Sequence, residues 1–314
     1  PATFKVGDKA VCPAQGVAEV VEVVEKEIAG KVEQFYVLRV LDSNMKVMIP
    51  VRNAQAVRGA VAGVRGIVHL AAVSRVIWAE RDPELCWNTN VGGALCVLCA
   101  ALDTPKRPWI LFASSREVYG QPTALPAAED APLAPVNVYG RAKVESERLV
   151  ASARDAGLRT AIVRLSNVYG SVRDHVDRVV PAFARAAVWG RRIRLDGREH
   201  TFDFTHIDDV VRGLLCLIAL LDRDEELPPV HLLTGRPTTL GELAATCVDL
   251  ARTGSPIVEA PPRSYDVARF YGDPTRAREL LGWTATIPLR LGLDRLIRAF
   301  LPERPALPLE GSAP

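Results

Sequence analysis

The chain has 314 residues, 48% of them apolar and 24% charged, and a formal net charge of +2. This is the composition of a soluble globular protein with room for two domains, and so small a charge supplies no field that would draw the whole molecule to nucleic acid or a membrane surface. Six cysteines in this length exclude a disulfide-dense scaffold.

In chain order, the first 58 residues are rich in short β-type runs. Strands are predicted over residues 17–24, 34–41 and 46–51, separated by turn signals at Ala29-Gly30 and Asp42-Ser43-Asn44. FYVLRVL has the branched and aromatic content of a strand, and MKVMIPV follows it across a short polar link, as in a hairpin. This region reads as a small antiparallel barrel or curled sheet. No signal peptide is expected, because Lys5, Asp8 and Lys9 fall where its apolar stretch would sit, so the expected location is cytoplasmic.

From residue 59 the pattern changes. The strand-like runs GIVHLAAV, WILFASS, TAIVRLSNVYG and PVHLLTG alternate with helical stretches, the clearest at 90–102, 139–156 and 176–189. Such alternation predicts an α/β fold with a doubly wound parallel sheet. The apolar run at 214–221 is too short to span a bilayer and reads as a core helix. From Leu240 onward, short helices and Pro-rich links such as Ala260-Pro261-Pro262 suggest a smaller lobe, and residues 304–314 read as a disordered tail.

Cys96 and Cys99 have C-x-x-C spacing inside GGALCVLCAAL. With no second Cys/His pair nearby, two small buried helix residues are the favoured reading and a redox or metal site the other. No metal site is expected.

VYGRAK places Tyr139 and Lys143 four residues apart, hence on one face of a helix. A phenol is a poor base at neutral pH, and a neighbouring ammonium lowers its pKa. Ser114 and Ser115 end the strand WILFASS, and the carboxyl ends of parallel strands are where such folds build active sites.

A long series of ordered motifs then resembles the extended short-chain dehydrogenase/reductase family of NAD-dependent sugar-nucleotide epimerases and dehydratases. They are VHLAA, NTNVGG, FASSREVYG, YGRAK, RLSNVYG, DFTHIDDV, LLTGRPTTLGELA and RELLGWTATIPLRLGL, and they span about three-quarters of the chain. The resemblance implies that Tyr139 takes the proton of a sugar hydroxyl while hydride passes to NAD, and that Lys143 lowers the tyrosine pKa and holds the nicotinamide ribose. It further implies that Ser115 bonds the reacting oxygen, that Ala71, Ala72 and Asn90 border the cofactor, and that Ser74, Glu117, Asn167 and Arg263 meet a nucleotide-sugar substrate. For Asn90 and Asn167 the plain alternative is a turn cap; for Arg263 it is a solvated charge. Dehydratases of this family use an Asp-Glu pair after the serine, whereas here the pair is Arg116-Glu117, which favours epimerisation. Phe202 stands where many relatives carry a diphosphate-binding arginine, a part that Arg198 is left to play. The helices at 90–102 and 139–156 correspond to the family's dimer-forming pair, so a homodimer is expected.

Such a family member opens with a strand, a G-x-x-G-x-x-G loop and a helix. The nearest candidate is GAVAGVRG, with Gly59, Gly63 and Gly66, but a helix precedes it and a strand follows it. It reads as the turn before the family's fourth strand, and the half-domain before that strand is expected to be missing. In its place, FKVGDKAV, Pro13, Gly16-Val17, EIAG, FYVLRVLD and MKVMIPVRNAQAV resemble the RNA-polymerase-interacting domain of CarD/CdnL-type regulators, with Cys12 where an aromatic is usual. That resemblance implies a Tudor/SH3-like barrel binding the polymerase β subunit, without direct nucleic-acid contact. The expected organisation is therefore a barrel at 1–58, a truncated Rossmann-like domain at 59–303 with its substrate lobe within 170–303, and the tail. Three readings stay open: an epimerase, a polymerase-tethered pseudoenzyme, and a fusion whose enzyme half is impaired.

Overall fold

The computed structural model describes Lys5, residues 9–10, 18–28, 31–40, 46–263 and 265–301. The predicted turns at 29–30 and 42–44, most of FKVGDKAV, Cys12, Pro13, Gly16-Val17 and the tail lie outside the described residues.

The chain begins with β1 (Lys9–Ala10), β2 (Ala18–Ile28), β3 (Lys31–Val40), β4 (Lys46–Pro50) and α1 (Val51–Val61). There follow β5 (Gly66–His69), α2 (Val76–Arg81), α3 (Pro83–Trp87), a π-helical turn (Asn88–Gly92) and α4 (Gly93–Leu102). Next come β6 (Trp109–Ser115), a 3₁₀ turn (Arg116–Tyr119), α5 (Val138–Asp155), β7 (Thr160–Leu165) and β8 (Asn167–Tyr169). Then α6 (Val179–Val188), β9 (Ile193–Asp196), β10 (Thr201–Phe202), β11 (Phe204–His206), α7 (Ile207–Leu221) and β12 (Val230–Leu232). The last are β13 (Thr238–Thr239), α8 (Leu240–Ala251), β14 (Ile257–Ala260), α9 (Thr275–Leu281) and α10 (Leu289–Phe300).

Two compact units result. The first takes residues 1–122, 129–165 and 214–231; the second takes 123–128, 166–213 and 232–314.

Within the first unit, β1–β4 form an antiparallel meander in sequence order, with a bulge between Val20 and Glu22. The barrel expected here is an open sheet among the described residues, because β1 and β4 are its edges. Its apolar face is covered by helices instead of by itself. Val20, Tyr36, Leu38, Val47 and Ile49 share one core with Val61 of α1 and with Leu95, Leu98 and Cys99 of α4. Gly92 belongs at this seam, since a Cβ there would meet the Ile49 side chain at 3.4 Å. The change of architecture falls between Pro50 and Val51, so residue 59 lies inside α1.

The parallel sheet of this unit has the order β12-β7-β6-β5. All seven residues of β6 are buried, as a central strand covered on both faces requires. β5 is an edge strand among the described residues and leaves Val68 and Leu70 exposed. The segment GAVAGVRG runs from α1 through a turn into β5, a helix–turn–strand order. Gly66 is explained by packing, because a Cβ on it would lie 1.9 Å from the Trp109 ring.

The run Pro83–Leu102 is long and apolar enough to cross a bilayer by length and composition, yet 61% of it is buried inside the protein. Cys96 and Cys99 sit on it as helix residues. The face of α4 carrying Leu95, Cys96 and Cys99 meets Tyr36, Leu38 and Ile49, so that face of the expected dimer-forming helix is covered by the chain's own sheet.

In the second unit, β8 pairs in parallel with β11, and β9 with β14. Helix α8 starts with a capping box, Thr239 and Glu242 satisfying each other's backbone N–H groups. Both aspartates of DFTHIDDV that are buried serve as braces. Asp203 accepts from Thr234 N and Oγ1, from Gly235 N and from Thr205 Oγ1. Burial raises its carboxyl pKa, against those same hydrogen bonds. Asp209 accepts from the backbone N–H groups of Thr286 and Ile287, which fastens the loop before α10.

Candidate active site

The site grows from three adjoining pieces of the first unit: the carboxyl end of β6, the first turns of α5, and the loop after β5. Helix α5 begins at Asn137, whose Oδ1 accepts from Gly140 N at 2.8 Å. Glu80 Oε1 accepts from Val138 N at 2.7 Å. Two of the helix's orphan N–H groups are thus satisfied by side chains, and the next turn carries Tyr139 and Lys143.

Lys143 is 3% exposed, and its ammonium donates to Ala113 O at 2.7 Å. It lies 4.8 Å from the Phe112 ring centroid and 5.9 Å from that of Tyr139. Burial pulls its pKa down to about 8, with Glu147 and Cys86 pulling the other way. An ammonium has three donors, and among the described residues only the one to Ala113 is engaged. Tyr139 is buried one turn earlier on the same face.

Ser115 closes β6 and caps the 3₁₀ turn, its Oγ accepting from Glu117 N at 3.2 Å. That bond uses the oxygen and leaves the hydroxyl proton for another acceptor. The neighbouring Ser114 Oγ is buried and has no hydrogen-bond partner among the described residues. Glu117 is 6% exposed and fully engaged: Oε1 pairs with Arg116 Nη2 at 2.9 Å, and Oε2 accepts from Asn137 Nδ2 at 2.7 Å. Gly140 is required by close approach, since a Cβ there would stand 2.5 Å from Glu117 O.

On the third piece, Ala71, Ala72 and Ser74 lie in the loop after β5, with Ala71 exposed and Ala72 and Ser74 half-buried. Asn90, predicted to sit near the cofactor or to cap a turn, does something more specific. Its Oδ1 accepts from Val73 N at 2.7 Å and its Nδ2 donates to Val73 O at 3.1 Å, which pins the loop between Ala72 and Ser74. His69, at the end of β5, stacks on Phe112 at 5.7 Å. Burial, and then the Lys143 charge, hold its pKa down at about 4, so it is neutral at pH 7.

Asn167 and Arg263 belong to the second unit. Asn167 is half-buried on β8, and its Nδ2 reaches Asp203 O at 3.4 Å. Arg263 is exposed and paired with Asp266 at 2.8 Å. Phe202 is buried beside Phe204, and Arg198 is paired with Glu259 at 2.6 Å. Among the described residues no group of three His, Cys, Asp or Glu side chains could hold a metal ion. Cys96 has its pKa raised to about 11 by burial, the reverse of a reactive thiol.

The sequence reading missed three contributors: Asn137, Glu80 and His69. Asn137 had a visible signal, a capping residue immediately before the helical VYGRAK. Glu80 had none, since it reaches α5 from 58 residues away.

This arrangement can lower the pKa of a phenol, donate a hydroxyl proton to an oxygen, and offer ammonium donors to neighbouring hydroxyls. It agrees with what the chain is similar to. A UDP-glucose 4-epimerase of Streptomyces lividans is 31% identical over 235 residues, covering 69% of this chain and 70% of that one. The crystal structure of UDP-glucose 4-epimerase from Thermotoga maritima with UDP-glucose matches with a TM-score of 0.73 at 27% identity, covering 80% of this chain and 82% of that one. A dTDP-glucose 4,6-dehydratase from Streptomyces venezuelae, solved with NAD bound, matches with a TM-score of 0.73 at 26% identity, over 79% and 77% of the two chains. These relatives speak for sugar-nucleotide chemistry, and none of them for an RNA-polymerase partner. The model of the NAD dependent epimerase/dehydratase family matches residues 16–229, and so extends through the antiparallel strands as well as the α/β elements. With a match over so much of its length, the chain belongs to the NAD dependent epimerase/dehydratase family.

Proposed function

We propose that this chain is a sugar-nucleotide epimerase of the UDP-glucose 4-epimerase type, using NAD, with Tyr139, Lys143 and Ser115 as its catalytic residues. The observation that carries the reading is the Lys143 ammonium, buried beneath Tyr139 at the end of β6 and held by Ala113 O. A buried cation bonded to one carbonyl is costly unless something uses it. Stabilising a phenolate and holding ribose hydroxyls are uses that match its position.

The residues fit the nicotinamide end of NAD. Lys143 has two uncommitted donors, Ala71 and Ala72 are small enough for close approach, and Asn90 fixes the loop that bears them. When bound, NAD supplies a hydride acceptor that returns what it has taken. Tyr139 Oη, as phenolate, takes the proton of the sugar's C4 hydroxyl and later gives it back. Lys143 favours the phenolate by its charge. Ser115 Oγ donates to the sugar oxygen and holds it in register with Tyr139.

Epimerisation is favoured over dehydration because elimination of water needs an acid and a base beyond this trio. Arg116 is neither, and both oxygens of Glu117 are committed to Arg116 and Asn137. Asn167 and Arg263 are assigned to the nucleotide diphosphate, and Ser74 to the sugar. The test is isothermal titration of the full chain with NAD and then with UDP-glucose. Saturable NAD binding below millimolar concentration, abolished in no case by Tyr139→Phe, supports the reading; no heat with NAD at millimolar concentration overturns it.

A further inference from the structure

One side chain of this region has no part in the chemistry just described, yet it touches two of the three pieces that make it. Asn137 is 1% exposed and has extended backbone, at the position where α5 begins. Its Oδ1 caps Gly140 N, and its Nδ2 donates to Glu117 Oε2. Glu117 in turn offers its own N–H to Ser115 Oγ. A path of hydrogen bonds of 2.8, 2.7 and 3.2 Å therefore runs from the helix that carries Tyr139, through one amide and Glu117, to Ser115 at the end of β6. Gly140 lets the two backbones meet at contact distance along the same seam.

A helix cap needs only the oxygen of this amide, and Ser or Asp would supply one equally well. The nitrogen, buried and aimed at a carboxylate, does something a cap does not need. We infer that Asn137 is a positioning residue that sets the distance between Ser115 and Tyr139, and that Glu117 serves the reaction through Asn137 and not by transferring a proton. This rests on the epimerase reading. It reassigns Glu117 from a group facing the substrate to one facing the chain.

Two Asn137 variants, one of them also made in a Ser115→Ala background, separate the roles. N137S keeps a cap and reaches no carboxylate; it is expected to lower kcat about tenfold with KM little changed, the signature of misplaced reacting groups. N137D also caps, but sets a second carboxylate against Glu117, so the pair must share a proton to stay in contact. Its kcat is expected to match that of N137S at neutral pH and to recover as the pH falls, while N137S shows no such recovery. In a Ser115→Ala background, N137S is expected to have no further effect on kcat, because the group it positions has gone. Wild-type kcat in both N137S and N137D would overturn the inference. So would E117Q losing as much activity as Tyr139→Phe while N137S loses none.

A second readout does not depend on turnover. In the full chain labelled with ζ-¹³C tyrosine, the Tyr139 signal, assigned with Tyr139→Phe, is followed against pH. N137S is expected to move its chemical shift and titration midpoint, with the N137D signal following the shared proton. An unchanged Tyr139 signal in both variants would overturn the inference by itself. Absence of NAD binding and of turnover in the wild type, with the Tyr139 signal moved in N137S, would count against the epimerase reading and leave the positioning role standing.

Discussion

Lys143 and Glu147 stand one turn apart on the same helix, both almost wholly buried, and their surroundings are built on opposite plans. Glu147 belongs to a closed cluster. Its two oxygens accept from Arg164 Nε and Nη2 at 3.0 and 2.7 Å. Arg164 Nη1 donates to Tyr119 Oη and to Glu129 O, both at 2.7 Å, and Tyr119 meets His231 Nε2 at 2.6 Å. Four elements and the loop that carries Glu129 are tied together by groups whose hydrogen-bonding capacity is spent on one another. Around Lys143 the opposite holds among the described residues: one donor of three is used, the Ser115 hydroxyl proton is uncommitted, and Ser114 Oγ has no partner. A closed cluster specifies a fold, whereas an open one keeps its polar groups for something that is not part of the chain.

This contrast can be broken one residue at a time. Glu147→Ala leaves the Arg164 guanidinium buried without its carboxylate and is expected to cost about 3–5 kcal/mol of stability. Urea unfolding measures it, and in the fraction that stays folded the fall of activity with pH should move below that of the wild type, because Glu147 holds the Lys143 pKa up. Tyr139→Phe is expected to do the reverse, lowering kcat by about 10³ with Tm shifted by little. Leu38→Ala tests whether the antiparallel sheet and the α/β elements share one core. It should cost about 3 kcal/mol and unfold both in a single transition. Two transitions would mean two cores.

Lys143→Met is expected to lower kcat about 100-fold while leaving Tm unchanged or raised, because it removes a charge that burial disfavours. The pH dependence follows from the same burial. The folded-state pKa of Lys143, about 8, lies below its ordinary value of 10.5, so above pH 8 the unfolded chain binds more protons than the folded one. Stability attributable to this residue therefore rises from about pH 8 to 10.5. Activity should fall around pH 8 as the ammonium of the folded chain is lost, and Lys143→Met should abolish that limb of the pH profile. Smallest of all, Asn88→Ala removes the acceptor for Met48 N at the seam of β4 and is expected to cost about 1 kcal/mol.

Much of this was legible in the sequence, and unevenly so. The three antiparallel strands, the runs of the α/β part and the long helices lie where alternation and apolar content placed them, because those patterns report burial directly, except that TAIVRLSNVYG breaks at Ser166 into β7 and β8 of different sheets. Tyr139, Lys143 and Ser115, the residues proposed to be catalytic, stood out in the sequence because their spacing has a chemical use. What periodicity could not report was what covers what. The strand pattern of residues 18–50 looks the same whether a sheet curls on itself or lays its face on α1 and α4. The motif DFTHIDDV was visible as a family motif, but not that its Asp203 and Asp209 fasten loops 31 and 77 residues away. Glu117 was expected among the residues that meet the substrate, and the partners of its two oxygens, Arg116 and Asn137, could not be read from the sequence.

The account turns on whether the open polar groups at the end of β6 perform chemistry on a sugar nucleotide. Proton NMR of UDP-glucose incubated with the full chain and NAD follows this directly. The prediction is conversion to the C4 epimer at the wild-type chain, slowed about 10³-fold by Tyr139→Phe. No epimer with the wild type under saturating NAD and UDP-glucose would contradict it.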